Sequence, residues 1–189
     1  MQRGGDGVFR GMMRQHVLLS ERVAQAVYRD DPGSQQRFAD QVLRGLHEMG
    51  VAVLAGRPGA DVALREWDAV GERHVLGETL LFEGILGCAC DNGLDGHCEF
   101  ADRAREGLQM LAQVRRDTVN MLVALPELED AEDQLDQQLA AHVSTTRDFA
   151  QALVCEGPGS RDYIDAVTLA IEAGEEHGAF LDERLGDGS

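Results

Sequence analysis

The residues most able to do chemistry in this chain are histidines set on apolar helical faces. Six histidines occur, and four of them interrupt apolar stripes in different stretches of sequence. His16 follows Phe9 and Met12 and precedes Val23. His74 lies between Val70 and Leu81, His142 between Leu139 and Phe149, and His177 between Ala170 and Leu181. A buried neutral imidazole is costly unless both ring nitrogens find partners. Several imidazoles converging from separate helices can meet that demand by sharing a metal ion, as bundle-core metal sites do. Glu78 stands four residues after His74, on the same helical face, so the pair can offer one nitrogen and one oxygen to zinc or iron. The expected ligands are His74, Glu78, His142 and His177, with His16 next. The alternative is that each ring is satisfied separately by a carbonyl or a carboxylate. Glycines at 71, 77, 174 and 178 flank His74 and His177; they leave room for a ligand or for a close helix crossing.

A second candidate cluster surrounds a glycine-rich turn. Cys88, Cys90, His97 and Cys98 flank Asp91 to Gly96. Thiolates and imidazole are zinc ligands, and a dithiol there could also be redox-active. The spacing argues against zinc: paired cysteines of structural sites are separated by two to four residues, and adjacent His97 and Cys98 would strain to reach one ion. Buried thiols acting as small hydrophobes are the alternative.

The spacings His74-x-x-x-Glu78 and His177-x-x-x-x-Asp182 resemble two ligand pairs of hemerythrin-type di-iron bundles, with His16 in the place of a first-helix ligand. The His-x-x-x-His pair of that family is absent, because Thr146 follows His142 at the required distance, and the loop lengths differ. No Glu-x-x-His motif of ferritin-like proteins occurs. No family is assigned on these spacings.

The elements that must position these residues are helices. Breaks fall at Asp31-Pro32-Gly33-Ser34, Gly56-Arg57-Pro58-Gly59, residues 91–96, Leu125-Pro126 and Gly157-Pro158-Gly159-Ser160. Ser34 and Ser160 can cap the helices that follow, and Pro126 suits a first helical position. Six helical stretches are predicted, near 8–29, 34–50, 60–89, 98–125, 127–156 and 160–185. Steps of three and four along Trp67, Val70, His74, Leu81 and Ile85, and along Leu135, Leu139, His142, Phe149 and Leu153, put one stripe on one face. Isoleucine and threonine are scarce, which is thin for a sheet. Val51 to Leu54 reads as a continuation of the second helix. The expectation is one all-α domain spanning 1–189: an antiparallel up-down bundle of four long helices, with two additional N-terminal helices covering one side or end.

Composition narrows the function. The 189 residues carry a formal net charge of -17. Such a surface repels phosphates and anionic lipid, so nucleic acid and membranes are not expected partners. It suits cations, a basic protein partner, or high salt. All 17 basic residues are arginine, a feature of coding bias or halophilic selection. The acidic run Glu127 to Asp133 could dock a basic partner, but at a helix start it also complements the dipole. No apolar stretch of about 18 residues is present, and Met1 to Arg14 lacks the apolar region of a secretory signal. Four cysteines without a disulfide framework point to a reducing cytoplasm. No phosphate loop, nucleophile elbow or dinucleotide fingerprint occurs. The leading expectation is therefore a metal-binding bundle holding iron or zinc, suited to redox or oxygen sensing or to metal storage. A regulatory or accessory interaction bundle without chemistry is the second, and an enzyme using the same histidines as acid–base groups the third. Self-association through an exposed stripe is also open.

Overall fold

The computed structural model describes residues 7–88 and 100–186, and these are all helix and turn. Six helices follow in order: α1 (Val8–Tyr28), α2 (Pro32–Leu54), α3 (Ala60–Gly87), α4 (Ala101–Val123), α5 (Glu132–Glu156) and α6 (Arg161–Leu185). Asp31 rather than Ser34 caps α2, accepting the Ser34 N–H at 3.0 Å, and Pro32 fills the first turn. Ser160 caps α6 through the Tyr163 N–H at 3.1 Å. The start of α1 is capped from across the fold: Asp182 on α6 accepts the Phe9 and Arg10 N–H groups, each at 2.9 Å. Val51 to Leu54 does continue α2, with Val53 and Leu54 buried. α5 starts later than its acidic run suggested. Two successive turns, closed by Leu128 N–H to Leu125 O and Ala131 N–H to Leu128 O, sink Leu125, Leu128 and Ala131 into the core before the helix begins. Pro126 lies in these turns, and only Glu132 and Asp133 stand in the first helical turn.

The helices do not divide into four long ones and two covers. α1, α3 and α5 touch one another in the middle. α2 packs against α1 and α3, α4 against α3 and α5, and α6 against α5 and α1. Each even-numbered helix thus fills the outer groove between two inner ones. The first helix, expected at the periphery, is one of the three central elements.

Small residues allow the tightest crossings. A Cβ on Gly107 would come within 2.6 Å of the Gly77 carbonyl and the Leu81 nitrogen. One on Gly178 would meet the α1 backbone at Phe9 and Arg10 at 2.5 Å. Gly178, Gly174 and Gly77 therefore serve close packing, whereas Gly71 has only ordinary contacts, with Leu46 at 3.6 Å.

The interior has two apolar clusters. One gathers Val17, Leu81, Phe82, Phe149 and Leu153. The other gathers Phe9, Met13, Trp67, Leu122, Leu135 and Leu181. Along α1, α3 and α5 the residues between these two clusters are His16, His74 and His142. A polar layer is therefore clamped between two dry ones. Both clusters are built without the polar layer, so the bundle has a core of its own.

Cys88 and Cys155 are both disulfide-bonded, and no described cysteine is free. This corrects the expectation of reduced thiols. Cys88 offers no thiolate to a zinc ion, and Cys90, His97 and Cys98 lie outside the described residues. Among the described residues no helix is long and apolar enough to cross a membrane.

Candidate metal centre

His16 on α1, His74 on α3 and His142 on α5 each project inward from one of the three central helices. They retain only 5%, 9% and 3% of their surface exposure. Glu78, one turn after His74, joins them at 3%. Ligand atoms of these four residues all lie within 4.8 Å of one another. His16 Nε2 is 3.2 Å from His74 Nε2 and 3.3 Å from His142 Nε2. His74 Nε2 is in turn 3.3 Å from Glu78 Oε1.

These separations have a chemical meaning. A ring nitrogen carries either one proton or one lone pair. His16 Nε2 faces two other ring nitrogens and can satisfy only one of them. A proton network therefore leaves the cluster short of a bond. A metal ion does not, because it can accept a lone pair from each nitrogen at once. Tetrahedral bonds of roughly 2.0–2.1 Å to nitrogen set neighbouring ligand atoms about 3.3 Å apart. The three measured edges match that value.

Electrostatics prepares the same state. Burial, against the opposing pull of Glu78 and with help from His74 and His142, lowers the His16 pKa to about 3. Burial takes His142 to about 4 and, with His142 beside it, His177 to about 4. Burial alone would raise Glu78, but the charge and hydrogen bond of His74, with His16 and His142 behind it, outweigh this and hold it at about 2. At neutral pH His16 and His142 are held deprotonated and Glu78 ionised, the forms a cation needs. Glu78 Oε2 accepts a 2.8 Å hydrogen bond from the Ser20 hydroxyl, which fixes the carboxylate's rotation. Among the described residues, His16 Nδ1, His142 Nδ1 and Thr146 Oγ1 are buried and lack hydrogen-bond partners, and Glu78 Oε1 has only the His74 ring nitrogen at 3.3 Å.

Four of the five expected ligands are thus brought together, and His177 is not among them. Its Nδ1 lies 3.0 Å from Gln138 Oε1, so this nitrogen carries the proton and donates. Asp182, its partner in the di-iron-type spacing, is committed to capping α1. His177 does line a cavity of about 70 Å³ whose wall includes His16, His74 and His142. Ser20 and Gln138 escaped the reading of the sequence. Both stand four residues from a site histidine, Ser20 after His16 and Gln138 before His142, and that spacing was the available signal. No protein-family model, curated protein or solved structure matches the chain.

Proposed function

We propose that the protein is a metal-binding bundle whose core holds one zinc or iron(II) ion through Nε2 of His16, His74 and His142 and the carboxylate of Glu78. The observation that carries this reading is the convergence of three ring nitrogens and one carboxylate oxygen within 4.8 Å of one another, with neighbouring pairs at 3.2, 3.3 and 3.3 Å. Three nitrogens and one oxygen of intermediate softness suit zinc and iron and do not suit calcium or magnesium. The ion is more than a structural staple, since two apolar clusters hold the helices on either side of it. A responsive role, sensing oxygen or redox state through iron or a small ligand through either metal, follows from the cavity at its nitrogen face.

The test is metal content and metal-linked stability. Chelator-treated protein should take up one equivalent of zinc or iron(II), and its thermal midpoint should rise with metal concentration. His16→Ala, His74→Ala, Glu78→Ala and His142→Ala should each abolish the shift. His177→Ala should keep it. Uptake by the folded wild type that is indifferent to all four substitutions would refute the assignment.

A further inference from the structure

The cavity beside the imidazoles is unusual for this chain. Among 189 residues, 34 are aspartate or glutamate, yet among the described residues no carboxylate lines this space. Its wall is chiefly leucine, valine, methionine and tryptophan, and among the described residues its one cationic side chain is Arg115. Arg115 is paired on one edge with Asp136, Nε to Oδ1 3.0 Å, and is 30% exposed. Its buried Nε–H nonetheless has no aligned hydrogen-bond acceptor. Glu78 stays behind the rings, outside the cavity wall, while His16, His74 and His142 form part of that wall.

An ion seated on these four residues would therefore be covered by carboxylate on one side and open to the cavity on its three-nitrogen side. Its charge would be incompletely balanced. Two positive charges, one carboxylate and three neutral rings leave a net of plus one in a low-dielectric interior, which favours one further negative ligand. The size of the space, about 70 Å³, admits a few water-sized groups and excludes a metabolite with a ring.

We propose that this cavity is an anion chamber: a small monoanion of two or three heavy atoms enters it, with Arg115 favouring its approach, and binds the ion on the face opposite Glu78. The proposal rests on the metal reading above, and its test separates the two. Cobalt(II) is loaded into chelator-treated protein and its visible spectrum followed during titration with azide. The expected result is a saturable change in the cobalt bands, absent from metal-free protein. Arg115→Met should leave cobalt stoichiometry intact and weaken azide about fivefold or more. Arg115→Lys should restore most of that loss, and Asp136→Asn, which frees the arginine from its competitor, should tighten azide. A purely structural role for Arg115 would move cobalt uptake with azide and would show no rescue by lysine. Cobalt bound with an azide-silent spectrum would overturn the chamber and spare the metal site. Failure of cobalt to bind would overturn both.

Discussion

Acidifying the metal-free protein should expose what it takes to keep three neutral imidazoles buried in the core. His16, His142 and His177 have folded pKa values of about 3, 4 and 4, against an ordinary 6.5. A base whose pKa is depressed on folding binds its proton more readily in the unfolded chain. Stability is then full above 6.5 and falls as pH drops through 6.5 toward the folded values. At pH 5 each of the three withholds about one and a half pKa units of protonation from the folded state. That is about 2 kcal/mol apiece, or about 6 kcal/mol together. The slope there is three protons, about 4 kcal/mol per pH unit. Glu78 works in a later window. Its folded value of about 2 lies below its ordinary 4.5, so its contribution persists above 4.5 and is lost only below it. Since whole domains are stable by about 5–15 kcal/mol, the metal-free bundle should lose a large part of its stability by pH 5 and more by pH 4.

The assay is denaturant unfolding followed by far-UV circular dichroism in the presence of chelator, at several pH values from 7.5 down to 5, with disulfides intact. The free energy of unfolding should be flat from 7.5 to about 7 and then fall steeply. His177→Leu should remove about a third of the slope. A wild-type free energy constant from pH 7.5 to 5 would refute the reasoning, since it would mean that these rings are solvated or already protonated in the folded state.

Other substitutions test separate parts of the fold and the site. Ser20→Ala strips Glu78 Oε2 of the 2.8 Å hydrogen bond from the Ser20 hydroxyl; zinc affinity should fall about tenfold or more by calorimetry, with about 1–3 kcal/mol lost from the metal-free protein. Gly107→Ala and Gly71→Ala should differ in sign. The first drives a methyl into backbone atoms of α3 at 2.6 Å and should cost about 1–3 kcal/mol, whereas the second meets only Leu46 at 3.6 Å and should gain up to about 1 kcal/mol from helix propensity. Thermal unfolding decides both. Asp182→Ala removes the cross-fold cap of α1 and should cost about 1 kcal/mol without altering zinc affinity.

The helical stripes were legible because a 3.6-residue period survives in sequence whatever the helix packs against. The same stripes marked His16, His74 and His142, since a polar residue on an apolar face stands out. What the period could not carry was partner choice. His142 and His177 have the same local signature, yet one meets the other rings and the other is engaged by Gln138. That difference is set by how α5 and α6 cross, a property of pairs of helices. The placement of α1 was hidden for a related reason. Its length and pattern suit either an outer or an inner position, and the choice falls to Gly174 and Gly178, which let α6 approach it closely. The disulfides of Cys88 and Cys155 were also invisible, because spacing along the chain does not report which sulfurs approach in space.

The polar layer also sets stability against function in a way one variant can separate. Replacing buried polar clusters by apolar residues of similar volume is frequently neutral or stabilising when the whole cluster goes, and destabilising when one partner is left behind. In this bundle the cluster is His16, His74, His142 and Glu78, with Ser20 holding Glu78. His16→Leu, His74→Leu, His142→Leu, Glu78→Met and Ser20→Ala combined would join the two apolar clusters that now flank the layer. Such a protein should lose zinc altogether, lose most of the acid sensitivity worked out above except that of His177, and unfold at a denaturant concentration no lower than the metal-free wild type. His142→Leu alone should destabilise the metal-free protein, leaving His16, His74 and Glu78 as a buried polar cluster short of one partner. If the complete replacement were also strongly destabilised, the imidazole layer would be a packing element of the core, and the case for a site held ready for an ion would fail.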